Sequence, residues 1–123
     1  MVSFDSFIAV DGIPIYLQIV KHIKSGIVSG TIVSGDEVPS RRLLSALLGV
    51  NPNTIQKAYK MLEDEGLLTS HSGAKSYMIF QETAVLAVRK QLIESDAAVI
   101  VNSLKRMGLS KNEALELIAT YWE

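Results

Sequence analysis

The run Leu47-Leu48-Gly49-Val50-Asn51-Pro52-Asn53 constrains this chain more than any other stretch, because it must end one helix and begin another almost at once. Glycine just past an apolar helical pattern supplies a helix end or tight turn. Asparagine before proline is pushed away from helical backbone angles, which suits an N-cap. Proline then takes the first helical position, where its missing N–H costs nothing. Val50 and Ile55 occupy the two positions of a hydrophobic staple, which fixes the angle of entry. Two helices joined through a turn with one glycine make the helix-turn-helix pattern.

The flanking sequence supplies the rest of such a unit. Pro14 opens a helical pattern in which Tyr16, Ile19, Val20, Ile23 and Ile27 share one side, and Gly30 stops it. "TIVSGDEVP" reads as an extended loop with a turn at Gly35-Asp36. Ser40 can cap a short helix with apolar positions Leu44, Leu47 and Leu48. After Gly66 the period changes, and "LLTSHSGAKSYMIF" reads as a hairpin with its tip at His71-Ser72-Gly73-Ala74. A helix-turn-helix followed by a hairpin is a winged helix. Beyond it, a long helix from about Thr83 to Met107 and a second through Trp122 are expected, the latter opened by a Ser110/Glu113 capping box. The fold class is therefore mostly α with a small β-hairpin. An N-terminal winged helix-turn-helix, residues 1–80 with its core at 13–80, precedes a two-helix dimerisation hairpin at 81–123.

Within the helix that Asn51 starts, Ile55, Ala58, Tyr59 and Leu62 share an inward face. Asn53, Gln56, Lys57 and Lys60 form a polar stripe on another side. Side-chain amides match the paired donor and acceptor of adenine in the major groove, and lysines neutralise phosphate or reach guanine. The first residues of the second helix in this motif are the ones that meet base edges. The formal net charge is only −1, yet Arg41, Arg42, Lys57 and Lys60 fall in a window without acids, bracketed by Asp36-Glu37 and Glu63-Asp64-Glu65. A local cationic face can serve a polyanion on a nearly neutral chain. Arg41 and Arg42 stand in the first turn of the shorter helix, where cations oppose the macrodipole. Asp36 and Glu37 are the expected compensators, and an approaching phosphate would turn the misfit into an asset. At the hairpin, His71, Ser72 and Lys75 can touch phosphate or minor groove, with Gly73 allowing a tight tip.

Other chemistries find little support. The chain has no cysteine, which removes disulfides and thiolate metal sites. His22 and His71 lack metal-ligand spacing, "SGAKS" lacks the phosphate-loop pattern, and no nucleophile–base pair is apparent. No metal, cofactor or enzymatic activity is expected. Residues 1–15 lack a basic start and no apolar run approaches the roughly 18–20 residues of a membrane span. A cytoplasmic protein without a membrane partner is the expectation.

"IPIYLQIVKHIKSGIVSG" followed by "SGDEVPSRRLLSALLGVNPNTIQKAYKMLEDEGLL" resembles the DNA-binding domain of the GntR family of bacterial transcriptional regulators. The P-I-Y-x-Q-I, G-D-x-x-P-S-x-R-x-L and E-x-E-G-L-L blocks occur together and in order over about residues 13–80. The N-P-N-T helix start and the short tail resemble the YtrA-type subgroup, whose members carry two dimerising helices in place of a sensor domain. The resemblance implies a dimeric regulator, usually a repressor, on an inverted-repeat operator. It places Arg42 on phosphate or base, and puts Pro52, Asn53, Thr54 and Gln56 where relatives read DNA. Gly73 matches the first wing glycine. With Ser40 and Asn51 at the two helix starts, these residues complete the candidate DNA-binding set. The wing departs from the G-[RK]-G-T-[FY]-V of relatives, since Gly73-Ala74-Lys75-Ser76-Tyr77-Met78 carries its charge one position later.

Leu86, Ile93, Ala97, Ile100, Leu104 and Met107 recur at spacings of 7, 4, 3, 4 and 3, a packing seam between helices. With Leu115, Ile118 and Trp122 they are the candidate dimerisation residues, because a two-helix hairpin cannot bury them all within itself. Any small-molecule effector would lie in this seam or between tail and winged helix. The competing reading is a winged-helix adaptor whose polar stripe meets an acidic protein. Salt-dependent binding of duplex DNA separates the two.

Overall fold

The computed structural model describes residues 1–70 and 75–122. The elements run α1 (Ile15–Ser29), β1 (Glu37–Val38), α2 (Arg41–Leu48), α3 (Pro52–Asp64), β2 (Leu68–Ser70), β3 (Ser76–Met78), α4 (Glu82–Arg106) and α5 (Lys111–Tyr121). Internal contacts divide the chain into two compact units, Met1–Arg89 and the residues from Lys90 onward.

In the first unit, α1 buries Ile19, Val20, Ile23 and Ile27 at the expected spacing, and α3 buries Ile55, Ala58, Tyr59 and Leu62. Pro14 stands at the N-cap of α1, one residue before the first helical position, an ordinary scatter at a helix end. Gly30 and Gly49 both adopt left-handed angles, φ 84° and 67°, and so end α1 and α2. The short α2 buries Leu44 alone of its three expected apolar positions; Leu48 is half-buried and Leu47 lies 63% exposed. A helix of two turns packed along one edge has room for little more.

The sheet is larger than the expected hairpin. Its order is β1-β3-β2, antiparallel throughout, with Glu37 opposite Tyr77 and Val38 opposite Ser76. The segment read as loop therefore supplies a strand. The pairing satisfies the outer edge of β3 and buries Val38 in the core. The Val2 N–H in turn donates to the Glu37 carbonyl at 2.8 Å. Phe4 stacks on His22 with ring centroids 4.6 Å apart, Phe7 meets the same imidazole edge-on, and His22 Nε2 lies 2.9 Å from the Ser3 carbonyl oxygen. The first seven residues thus tie β1 to α1, a role that the sequence reading did not give them.

The acids ending α3 tie three cations. Glu63 lies 3.4 Å from Arg41 of α2, Asp64 lies 2.8 Å from Lys60 within α3, and Glu65 lies 2.8 Å from the buried Lys24 of α1. Glu63 and Asp64 thus pair with cations of the acid-free window they border, while Glu65 serves Lys24 outside it.

The second unit is helical. Both bonds of the Ser110/Glu113 capping box are present, Ser110 Oγ accepting from the Glu113 N–H at 3.2 Å and Glu113 Oε1 from the Ser110 N–H at 3.0 Å. No described residue from Lys90 onward is buried. A cavity of about 390 Å³ opens between α4 and α5, lined chiefly by Val101, Leu104, Leu109, Leu115 and Ile118.

Candidate nucleic-acid interface

The polar stripe of α3 is presented as its spacing predicts. Asn53, Gln56, Lys57 and Lys60 are exposed on the side away from the buried Ile55, Ala58, Tyr59 and Leu62. Asn51 caps the helix, its side-chain oxygen accepting from the Asn53 N–H at 2.8 Å, and Pro52 follows as the first helical residue. Thr54 is half-buried. Ser40 caps α2 in the same manner through the Leu43 N–H at 3.1 Å, leaving its hydroxyl proton for an outside acceptor. Two helix starts thereby project backbone N–H groups and short polar side chains, the arrangement that takes phosphate oxygens.

The cations are less uniform than the sequence implies. Lys57 Nζ lies 4.1 Å from the centre of the Tyr16 ring, a cation–π contact reaching back to α1. Lys60 is paired with Asp64 in the same helix, and that hydrogen bond holds its ammonium pKa above the ordinary lysine value. Arg42 is exposed. Arg41 turns inward instead, to Glu63 and over the Tyr59 ring at 5.5 Å. Its expected partner was the Asp36-Glu37 pair. Asp36, however, accepts from the Val33 N–H at 2.9 Å and so closes its own turn. A carboxylate one residue after the turn glycine reaches the backbone of its own turn more easily than a helix start beyond it.

At the wing, Lys75 is exposed beside β3. Ser72 and Gly73, with His71, lie outside the described residues. Ser70 and Ser76 face each other across the sheet, their hydroxyl oxygens 2.9 Å apart, and the Ser70 hydroxyl donates to Glu63 Oε1 at 2.7 Å. Glu63 therefore joins α2, α3 and the base of the β2–β3 hairpin, a connection with no signal in the sequence beyond an acid on the last turn of a helix.

In the second unit, Ile93, Ala97, Ile100, Met107, Leu115, Ile118 and Trp122 are exposed and Leu104 is half-buried; Leu86, on the part of α4 within the first unit, is exposed too. Among the described residues no group of acids and histidines could hold a metal ion, and no helix is long and apolar enough to cross a membrane.

Three helices, a small antiparallel sheet and an outward polar stripe on the second helix of the turn define a winged helix-turn-helix DNA-binding protein. Residues 15–77 match the family described as "Bacterial regulatory proteins, gntR family". The chain is 36% identical over 101 residues to the HTH-type transcriptional repressor YtrA of Bacillus subtilis (strain 168), covering 82% of this chain and 73% of that one. Its fold matches a GntR family transcriptional regulator from Listeria monocytogenes with a TM-score of 0.78 at 28% identity, over 91% of this chain and 98% of the other. It also matches the DNA-binding domain of AraR in complex with operator ORX1, with a TM-score of 0.51 at 31% identity, over 63% and 94%. The chain belongs to the GntR family of transcriptional regulators and is of YtrA type.

Proposed function

We propose that this regulator is a repressor that binds an inverted-repeat operator as a homodimer, residues 1–80 holding the DNA and residues 81–123 joining the two copies. The observation that carries the reading is the α3 surface, where Asn53, Gln56, Lys57 and Lys60 stand exposed along the outer side of the second helix of the turn, Asn53 in its first turn. Asn53 and Gln56 read base edges there, while Lys57, Lys60 and Arg42 neutralise phosphate. Ser40, Asn51, Pro52 and Thr54 place the two helix starts against the backbone, and Lys75, with Ser72 and Gly73, meets the duplex at the wing. Leu86, Ile93, Ala97, Ile100, Leu104, Met107, Leu115, Ile118 and Trp122 then lie in the dimer seam. The absence of any buried described residue from Lys90 onward supports that assignment. Two copies related by a twofold axis would set their α3 helices about 34 Å apart or a multiple of it. The protein works on cytoplasmic DNA, and an effector, where one acts, reaches it at the seam.

Selection of duplexes from a random pool tests binding, symmetry and half-site spacing together. A twofold-symmetric site with sharply salt-dependent affinity is expected, weakened by Arg42→Ala and Gln56→Ala. A protein that leaves duplex DNA unshifted at low salt would instead be an adaptor for an acidic protein partner.

A further inference from the structure

Glu63 is an acid placed beside a surface that must approach a polyanion, and mere proximity would make it a liability. Its carboxylate is nevertheless occupied from two sides. Arg41 Nη2 lies 3.4 Å from Oε1, and the Ser70 hydroxyl donates to the same oxygen at 2.7 Å. The Ser70–Ser76 hydroxyl contact at 2.9 Å carries the connection across β2 and β3 at their paired ends. Arg41 is gripped in addition by the Tyr59 ring, its Nε is buried without a hydrogen-bond partner, and its guanidinium is turned from the outward face that Arg42 occupies.

We propose that Glu63 is a positioning residue for DNA binding: it clamps the base of the β2–β3 hairpin to the recognition helix, setting where Lys75 stands, and Arg41 serves this clamp rather than touching phosphate. The proposal rests on the DNA-binding reading given above. Lys75 adjoins Ser76, so the hairpin's stance relative to α3 decides whether that ammonium meets the backbone of the half-site read by α3. Charge on the clamp is balanced internally by Arg41, which lets an acid sit near DNA without adding net repulsion.

The test uses the full chain and a duplex recovered from the random pool. Simple charge counting says that Glu63→Ala should tighten binding, since it deletes an acid. The clamp says that it weakens binding by about tenfold, as does Ser70→Ala at an exposed position, with the serine variant still folded at the assay temperature despite the small cost of taking a partner from the buried Ser76 hydroxyl. Glu63→Gln, which keeps an acceptor oxygen for Ser70, should recover most of the loss. Removing a phosphate contact lowers the salt slope by about one, so Arg42→Ala should do so and Arg41→Ala should not. Backbone protection should vanish on the wing flank of each half-site and persist under α3. Equal or tighter binding by both Glu63→Ala and Ser70→Ala overturns the proposal, as does a salt slope that falls equally for the two arginine variants. Failure of the wild-type chain to bind any duplex would instead sink the underlying DNA-binding reading.

Discussion

The Tyr59 hydroxyl donates to the Pro39 carbonyl at 2.6 Å, so the recognition helix is bonded to the residue just before the cap of α2. The ring is fully buried, and neither group has water to fall back on. Tyr59→Phe keeps the packing and strands the carbonyl, which costs about 1–3 kcal/mol for an unsatisfied buried acceptor. Chemical denaturation should show that loss with an unchanged denaturant slope. Burial pushes the phenol far above its ordinary range, opposed in part by the Arg41 guanidinium. The sign follows: a raised folded pKa gives stability that is complete below about pH 10 and is lost as the pH climbs beyond it. The Phe variant should lack that alkaline component.

Lys24 and Glu65 form an asymmetric pair. The lysine side chain is 5% exposed and the glutamate 35%, with 2.8 Å between Nζ and Oε1. Removing the exposed partner leaves the buried cation without that carboxylate, whereas removing the cation leaves a carboxylate that water can reach. Glu65→Ala should therefore cost on the order of 2 kcal/mol, less than the loss from a fully buried pair because the site is partly wet, and Lys24→Met much less. Thermal melts of the two variants check the ranking, and a larger loss for Lys24→Met would reverse the assignment of the buried charge.

What the sequence made legible was whatever local chemistry specifies. Asn51-Pro52, Gly49 and the Ser110/Glu113 box announce helix ends through bonds within four residues, and all appear in the structure. The 3.6-residue period located the faces of α1 and α3 for the same reason. The third strand was not legible, because Glu37–Val38 is too short to show alternation and pairs with residues about forty positions away. Val2 and Phe4 do alternate with polar neighbours, the one trace of an ordered N-terminal segment. The inward turn of Arg41 was hidden for a similar cause: its partner, Glu63, is near only once α2 and α3 cross. Side-chain charge located the cationic window, but only tertiary packing decides which cations in it remain available to DNA.

Glu113 offers a pH test confined to α5. Hydrogen bonds from Ser110 hold its carboxyl below the ordinary carboxylate range. A lowered folded pKa gives stability that is present above the unfolded pKa and lost as the pH falls through the folded one. The start of α5 should therefore fray as the pH falls below the ordinary carboxylate range, seen as lower amide protection factors at Glu113 and Ala114 once the carboxyl protonates. Glu113→Gln keeps an acceptor without the charge, so its protection factors should be flat over the same range. A pH dependence surviving in the Gln variant would assign the fraying to another group.

Ile100 is the sharpest probe of the proposed dimer. It lies midway along the seam, 51% exposed, with Ala97 and Leu104 one turn away on either side of the same face. A charge there costs nothing if this face meets water, since the side chain is already solvated in the single chain. If the face meets its twofold mate, Ile100→Glu buries a carboxylate from each copy in the seam, and each loses hydration. Sedimentation at micromolar concentration should then show a dimer for the wild-type chain and a monomer for the variant. The operator affinity should fall with it, because each half-site must be bound without the other's help. A wild-type monomer, or a variant dimer with unaltered operator binding, would remove this face from the assembly.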